Sequence, residues 1–266
     1  MTAYRAAWVC PIDQPPIADG VVVVESGRIV SVPAPGTRHL ALNVQDLGNV
    51  ALLPGLVNAH THLELSWLRN RVPPAPRFTD WVKALFATRG RPDVAMSAEQ
   101  IAPIYDAIAE AKASGTVAVG DISNSLAAVG PMREAGLDGV TFHELLGFKE
   151  RDGALLESTR EMRASAAQAG ARVSLAPHAP YSTSVELFKA IRSAVTKSDC
   201  AVMSVHLGES VEEIEFIEQG SGTCGIALRE RLVALDRERL EPGCVDRVRR
   251  GEERIGNDNR RQKQKR

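Results

Sequence analysis

The chain has 266 residues, of which 44% are hydrophobic and 24% are charged, values close to those of an average globular protein. This length corresponds to one large domain or two modest ones, and the composition excludes a disordered chain, a collagen-like repeat and a disulfide miniprotein. No aliphatic run approaches the roughly 20 residues of a membrane span, and the first ten residues lack a signal-peptide core. The expected compartment is therefore the cytoplasm.

The formal net charge of −1 hides an uneven distribution. Residues 247–266 contain nine Lys or Arg and three acids, which leaves the other 246 residues with 23 basic and 30 acidic groups. A nucleic-acid-binding domain carries its basic groups on its folded surface rather than on a short tail. We therefore expect neither a nucleic acid nor a membrane as a partner. The four cysteines are scattered and are expected to be reduced thiols.

The first 50 residues are predicted to form short strands. The run "GVVVVESGRIVSV" contains two β-branched segments around Glu25-Ser26-Gly27, which is typical of a hairpin with glycine at the turn. From residue 50 strands alternate with helices. The first predicted helix begins with Thr79 as its N-cap and ends at Gly90, and the next runs from Ser97 to Ser114.

Four strand–helix units follow, and their strands are predicted in "TVAVGDIS", "GVTFHELLG", "ARVSLAPHAP" and "AVMSVHLGES". The matching helices are predicted around Met132 and over residues 152–169, 184–196 and 211–219. This alternation builds a parallel sheet, either a partial TIM barrel or an open doubly wound sheet. No glycine-rich phosphate loop follows the first strand, so the nucleotide-binding version of the open sheet lacks its main signal. A further helix is predicted over residues 226–240, and a disordered tail after Cys244.

Five of the six histidines lie at or near predicted carboxyl ends of strands, where parallel α/β folds place their active sites. His60 and His62 are two residues apart, so both imidazoles point to the same side of a strand and can bind one ion. His206, at a later strand end, completes a three-histidine set that suits a catalytic metal site. The sixth histidine, His39, lies elsewhere in the sequence.

Other polar residues at these strand ends are candidates for the chemistry. Glu209 follows His206 by three residues and can exchange protons beside a metal, although a carboxylate that favours a helix start is the alternative. His178 lies between Pro177 and Pro180, which stiffen its loop. It could be a metal ligand, but three other histidines already supply the metal, so we expect a catalytic role in binding the substrate or its transition state. Asp121 and the pair His143-Glu144 occupy equivalent strand ends. Four apolar residues at helical spacing are better explained by packing: Trp81, Val82, Leu85 and Phe86.

The segment "PGLVNAHTH" (54–62) resembles the signature of the amidohydrolase superfamily, in its cytosine-deaminase and chlorohydrolase-like branch. The segments "SLAPHAPYS" (174–182) and "SVHLGES" (204–210) resemble the next two motifs of that branch, in the same order. "HTHLELS" and "FHELLGF" further resemble aminodeoxyfutalosine, S-adenosylhomocysteine and adenosine deaminases. The resemblance covers about residues 5–222.

The resemblance implies hydrolytic deamination of an aminopurine nucleoside-like or amino-heterocycle substrate through metal-activated water. It implies one Zn²⁺, or alternatively Fe²⁺, held by His60, His62 and His206, with Glu209 as proton shuttle and His178 in contact with the substrate. Glu144, in "FHELLGF", is predicted as a second substrate-binding residue. The expected partner is a small-molecule substrate, and a homo-oligomer is left open.

The expected fold is α/β: an incomplete TIM-like barrel with about five of the eight strands, joined to part of a small N-terminal β-sandwich. The predicted limits are 1–50 for the partial sandwich, 51–240 for the barrel portion and 241–266 for the basic disordered tail. The branch normally has a further histidine at its sixth strand and an aspartate at its eighth. This sequence has no histidine after His206, and its remaining aspartates, 236, 246 and 258, follow no apolar strand.

These departures predict a chain truncated at its C-terminus, and they leave two alternatives to an active deaminase. The first is a catalytically incompetent fragment, whose two unpaired sheet edges would favour aggregation. The second is amidase-type hydrolysis on the same scaffold. The pattern of turnover across substrates separates the amidase from the deaminase, and a sharp thermal transition with one tightly bound zinc ion argues against the fragment.

Overall fold

A computed structural model describes residues 1–34, 36, 43–90, 95–151 and 153–220. Within these residues no helix combines the length and the apolarity that crossing a membrane requires. The chain divides into two compact units, the first covering Met1–Val57 and the second beginning at Asn58. His39, the predicted helix over 226–240, the tail and the three late aspartates lie outside the described residues.

The first unit contains one sheet built around the strand β1. Its strands are β1 (Thr2–Val9), β2 (Ile17–Glu25), β3 (Arg28–Ser31), β4 (Asn43–Asp46) and β5 (Ala51–Leu52). β2 and β3 form the predicted antiparallel hairpin, with Glu25 opposite Arg28 and with Ser26 and Gly27 both at positive φ. Two residues at positive φ are what a tight hairpin turn requires, and glycine adopts this conformation without strain. Ala6, Val9 and Val22 form the buried core of this unit.

The second unit is built on a four-stranded sheet in the order β6-β7-β8-β9. The strands are β6 (Leu56–Thr61), β7 (Thr116–Ser123), β8 (Asp138–Leu145) and β9 (Val173–Pro177). β7 pairs with β8 and β8 pairs with β9 in parallel, as the alternation of strands and helices predicts. A Cβ at Gly120 would lie 2.3 Å from the main-chain oxygen of Ala59 in β6. Only glycine at this position therefore allows β7 to lie this close to β6.

Eight helical segments accompany this sheet in the described part of the chain. They are a 3-10 helix (Leu63–Leu68), α1 (Phe78–Arg89), α2 (Ala98–Ala113), α3 (Val129–Glu134), α4 (Ala154–Ser158), α5 (Arg160–Gln168), α6 (Val185–Val195) and α7 (Val211–Gln219). Ser184 and Ser210 cap α6 and α7 by accepting the main-chain N–H three residues on, and Gly90 ends α1 at a φ of 75°. The N-cap of α1 is Arg77 rather than the predicted Thr79, which lies inside the helix.

The two faces of the sheet pack differently. On one face, Ile104 and Ile108 of α2 pack with Val119 of β7, and Leu187 and Ile191 of α6 pack with Leu145 of β8. These helices supply the apolar cover that a parallel sheet needs. On the other face the smaller set Ile122, Phe142 and Ala176 is buried together. Since alternate residues of a strand point to opposite faces, this arrangement decides which strand-end side chains can meet.

Two predicted elements differ in the structure. The single helix expected over 152–169 is divided into α4 and α5 at Thr159, whose hydroxyl donates to the main-chain oxygen of Leu155. The strand expected in "AVMSVHLGES" is reduced to one bridge between Leu175 and Met203. There the Ser174 hydroxyl donates to the main-chain oxygen of Val202, so a side chain supplies part of the pairing that a strand ladder would provide. The sheet of the second unit thus has four strands within the described residues, and the segment that carries His206 lies beside β9.

Candidate active site

The structure brings three of the predicted histidines together at one end of the sheet. His60 lies near the end of β6, His62 immediately follows that strand, and His206 lies on the segment beside β9. The ring centroids are 5.1 Å apart for His60 and His62, 4.8 Å for His60 and His206, and 5.2 Å for His62 and His206. One nitrogen from each ring lies within 4.8 Å of the others. This convergence of three imidazoles is the arrangement that the H-x-H spacing predicts.

His206 is the centre of the cluster. Its Nε2 lies 3.0 Å from Oε1 of Glu144, and its Nδ1 lies 3.0 Å from Oε1 of Glu209. Burial lowers the pKa of His206, but the hydrogen bonds and charges of the two carboxylates outweigh burial and raise that pKa to about 9. The ring therefore donates to both glutamates.

The pKa values of the two carboxylates are shifted in the opposite direction to that of His206, downward. Burial raises the pKa of Glu144, but the hydrogen bond from His206 and the neighbouring imidazoles outweigh it and lower that pKa to about 2. The same kind of bond lowers the pKa of Glu209. Both residues therefore stay ionised near neutral pH. Glu144 is 5% exposed, whereas the Glu209 side chain is 40% exposed and so accessible to a small molecule.

His178 is the fourth histidine of the cluster. It follows β9 directly, and its ring centroid lies 4.9 Å from that of His206. Its Nδ1 is 2.6 Å from the hydroxyl of Ser182, which fixes the direction of the ring. The main-chain oxygen of His178 also accepts the N–H of His206 at 2.8 Å, so the two loops are joined through their backbones. Burial lowers the pKa of His178, which favours a neutral ring.

The adjacent residues His143 and Glu144 separate onto opposite faces of β8. Glu144 points into the histidine cluster, whereas His143 contacts Asn124 and Arg163, with Nε2 3.1 Å from the Asn124 main-chain oxygen. Burial, followed by the charge of Arg163, lowers the pKa of His143 to about 4. Asp121 lies outside the cluster as well, and its Oδ1 accepts the N–H of Leu63 at 2.8 Å. Of these three strand-end candidates, only Glu144 joins the site.

Sequence reasoning missed several residues that hold the site. Asn124, directly after β7, donates from Nδ2 to Oε2 of Glu144 at 3.1 Å and so fixes that carboxylate. Glu64 is 3% exposed and accepts hydrogen bonds from Arg89 at 2.6 Å and from the Ser123 hydroxyl at 2.6 Å. A strand-end signal was available for Asn124, because it follows "TVAVGDIS" as His178 follows its own strand. The partners of Glu64 are distant in sequence and leave no local pattern.

An aromatic row leads from α1 to His178. Phe78 lies 6.2 Å from Trp81 and 6.1 Å from Tyr181, and Tyr181 lies 5.7 Å from His178, all measured between ring centroids. These separations are typical of edge-to-face and offset aromatic pairs. Trp81 is 37% exposed, so packing, the role predicted for it, accounts for only part of its side-chain surface.

Residues 51–233 match the Amidohydrolase family, and the chain therefore belongs to this family of metal-dependent hydrolases. Its relatives include the 5-methylthioadenosine/S-adenosylhomocysteine deaminase of Moorella thermoacetica, which is 31% identical over 89% of this chain and 56% of the relative. The chain thus spans little more than half the length of the curated relatives it matches.

Solved structures show the same fold. Helicobacter pylori aminofutalosine deaminase in complex with methylthio-coformycin superposes with a TM-score of 0.75 and 26% identity, covering 89% of this chain and 58% of that one. An adenosine deaminase from Xanthomonas campestris with bound zinc superposes with a TM-score of 0.62 at 22% identity, covering 87% and 55%. The α/β fold with a parallel sheet, similar to the barrels of these enzymes, is thereby confirmed, and the predicted family is correct. Barrel closure, the N-terminal sandwich and the limits 1–50, 51–240 and 241–266 stay predictions.

Proposed function

We propose that this chain is a metal-dependent hydrolase of C–N bonds that deaminates an aminopurine nucleoside-like or other amino-heterocycle substrate. One observation carries the proposal: three imidazoles converge within 4.8 Å, and Glu209 is hydrogen-bonded to one of them. The similar proteins named above are all deaminases, which supports the reaction type. A small-molecule substrate is the partner that this reaction requires.

The donor set fits one divalent metal ion, for which we propose Zn²⁺ with Fe²⁺ as the alternative. His60, His62 and His206 each offer a nitrogen, and burial lowers the pKa of His60 and brings that of His62 to about 4, so both of those rings are neutral. The pKa of His206 is raised to about 9, so this ring would have to release a proton when a metal binds. Neutral imidazole is the form that binds zinc, and three protein ligands leave a position open for substrate or water. When bound, the metal supplies a Lewis acid that lowers the pKa of water toward 7.

Glu209 is proposed to move the proton. Deamination replaces an amino group by an oxygen from water and releases ammonia, so a proton must pass from the water to the departing nitrogen. The Glu209 carboxylate is ionised and partly exposed beside His206, and its Oε atoms can accept that proton and then give it up.

His178 and Glu144 are proposed to bind the substrate. The Ser182 contact occupies Nδ1 of His178 and leaves Nε2 as the ring atom for a substrate hydrogen bond. The Glu144 carboxylate, held by Asn124, can accept a hydrogen bond from an N–H or O–H of the substrate. Preorganised donors and acceptors of this kind select a substrate and stabilise developing charge.

The test is ammonia release by the zinc-loaded protein with a panel of adenosine-type nucleosides and other amino-heterocycles, together with the zinc content per chain. We expect about one zinc per chain and ammonia from at least one adenosine-type substrate. His60→Ala and His206→Ala should lose both zinc and activity. His39→Ala removes a histidine outside every motif and is the control that should retain both. A zinc-loaded protein that releases no ammonia from any member of the panel would refute the proposed reaction.

A further inference from the structure

Glu213 is a fully buried acid in the first turn of α7 that the proposed reaction does not use. Its side chain is 0% exposed, and its Oε2 accepts the main-chain N–H of Glu209 at 2.8 Å. Its Oε1 has no hydrogen-bond partner within the described residues. A buried carboxylate is costly unless its contacts offset the loss of hydration. The burial of this carboxylate therefore needs an explanation, and the main-chain N–H groups that it contacts belong to Glu209 and Gly208.

The local sequence explains how Glu213 comes to lie there. Ser210 and Glu213 have the spacing of a capping box, in which serine caps the helix and the glutamate returns to the N–H of that serine. The first half is present, because the Ser210 hydroxyl accepts the N–H of Glu213 at 3.1 Å. The second half is displaced by one residue, since the carboxylate bonds the N–H of Glu209 instead. The helix cap thus reaches into the loop that carries the proposed proton shuttle.

The contact matters because little else restrains Glu209. Its side chain is 40% exposed, and the peptide before it belongs to Gly208, which has a φ of 71°. The side chain reaches Nδ1 of His206 at 3.0 Å, whereas Glu213 holds the backbone from the opposite direction. Burial raises the pKa of Glu213, which favours its neutral form and reduces repulsion between the two glutamates.

We propose that Glu213 is a positioning residue that fixes the backbone of Glu209, so that the Glu209 carboxylate is directed at His206 and at the substrate. The proposal rests on the proposed function for its effect on turnover. Its structural part, a persistent bond from the Glu209 N–H to Glu213, can be tested separately. A misplacement of about 1 Å in a reacting group costs about 100-fold in rate, which sets the scale of the effect.

The experiment compares Glu213→Leu, Glu213→Gln and Glu215→Gln in the zinc-loaded full chain. Leucine fills the site without an acceptor, and we expect kcat to fall about 10- to 100-fold while KM and zinc content stay near wild type. Glutamine keeps a carbonyl acceptor for the Glu209 N–H, and its kcat should stay within about threefold of wild type. Glu215→Gln makes the same side-chain substitution on the same helix and should match wild type.

The second measurement is amide hydrogen exchange at Glu209, which does not depend on turnover. In the wild type and in Glu213→Gln we expect this amide to exchange at least about tenfold more slowly than in an unstructured peptide, and in Glu213→Leu we expect that protection to be lost. An unprotected Glu209 amide in the wild type overturns the proposal even if Glu213→Leu fails to fold. A wild-type kcat in Glu213→Leu, or an equal loss in Glu213→Gln, also overturns it. If the wild type releases no ammonia, the proposed function fails, and the exchange data alone decide whether Glu213 holds Glu209.

Discussion

At the scale of single residues, the site depends on which side of a strand each polar residue occupies. His143 and Glu144 are neighbours on β8, both buried and both chemically suited to an active site. Glu144 reaches His206 at 3.0 Å, whereas His143 faces Arg163 on the other side. Because neighbouring residues of a strand point to opposite faces, the sequence predicts that these two side chains lie on different faces of β8. It does not predict which of them faces the cluster, because β8 is buried on both faces. The positions of the helices on one face settle this choice.

The raised pKa of Asp121 predicts how the free energy of unfolding changes with pH, including the direction of that change. Burial raises the pKa of this carboxyl to about 8 in the folded chain, against an ordinary value near 4. Between these values the folded chain holds a proton that the unfolded chain has released, so the free energy of unfolding falls as the pH rises from about 4 to about 8. Asp121→Asn cannot titrate and should lack this part of the pH dependence.

The measurement is urea denaturation of the wild type and Asp121→Asn at several pH values across that window. All other titrating groups are shared, so the difference between the two proteins reports on Asp121. The wild type should lose stability relative to the asparagine variant as the pH rises. A difference that is constant with pH would contradict a raised pKa at this position.

At the scale of elements, α1 is fastened at both ends to parts of the chain distant in sequence. At its start the N–H of Phe78 donates to Glu212 of α7 at 3.1 Å. At its end Arg89 pairs with Glu64 at 2.6 Å, with only 13% and 3% of the two side chains exposed. Since the 3-10 helix that carries Glu64 follows His62 directly, these bonds tie α1 to the end of β6 that carries His60 and hold the aromatic row beside His178.

Arg89→Met should therefore be strongly destabilising. The substitution leaves the buried Glu64 carboxylate without its cation, which typically costs about 3–5 kcal/mol, and the serine and main-chain donors to Glu64 favour the lower end of that range. Arg160→Met removes an exposed pair with Glu157 and should cost less than about 1 kcal/mol. Urea denaturation of the two variants checks the contrast, and equal losses of stability would count against a structural role for the buried pair.

Much of this unit could be predicted from its sequence, and the parts that could not share a physical cause. The strands β7, β8 and β9 and the caps Ser184 and Ser210 follow from local patterns, and so does the convergence of His60, His62 and His206 at strand ends. The segment around Met203 was predicted as a strand, but a ladder also needs main-chain partners, and only one bridge to β9 forms. The bonds to Glu64 join residues distant in sequence, which no local pattern reports. The Glu213 bond is local, and the capping-box spacing predicts its helix start but not the shift of its acceptor from Ser210 to Glu209.

At the scale of the whole molecule, metal binding and folding should be coupled. The three imidazoles come from His60, His62 and His206, so an ion bound by all three would join the first strand of the sheet to the segment beside its last strand. A ligand that binds only the folded chain stabilises it by about 2.7 kcal/mol at a concentration 100 times its Kd. Zinc should accordingly raise the midpoint of thermal unfolding, and a chelator should lower it.

The thermal midpoint is measured with and without zinc for the wild type and for His62→Ala. The zinc-dependent rise should be largely lost in the variant, because one of its three nitrogens is missing. A rise of the same size in both proteins would indicate zinc binding elsewhere on the chain.

The main-chain bond between the N–H of His206 and the carbonyl of His178 has a consequence for interpreting variants of the site. It involves no side-chain atom, so it persists when either imidazole is replaced. The main-chain link between the two loops is then kept, but a variant of His206 also loses the hydrogen bonds to Glu144 and Glu209. A substitution of His178 thus tests its imidazole with the main-chain link in place, whereas a substitution of His206 also changes how the two glutamates are held.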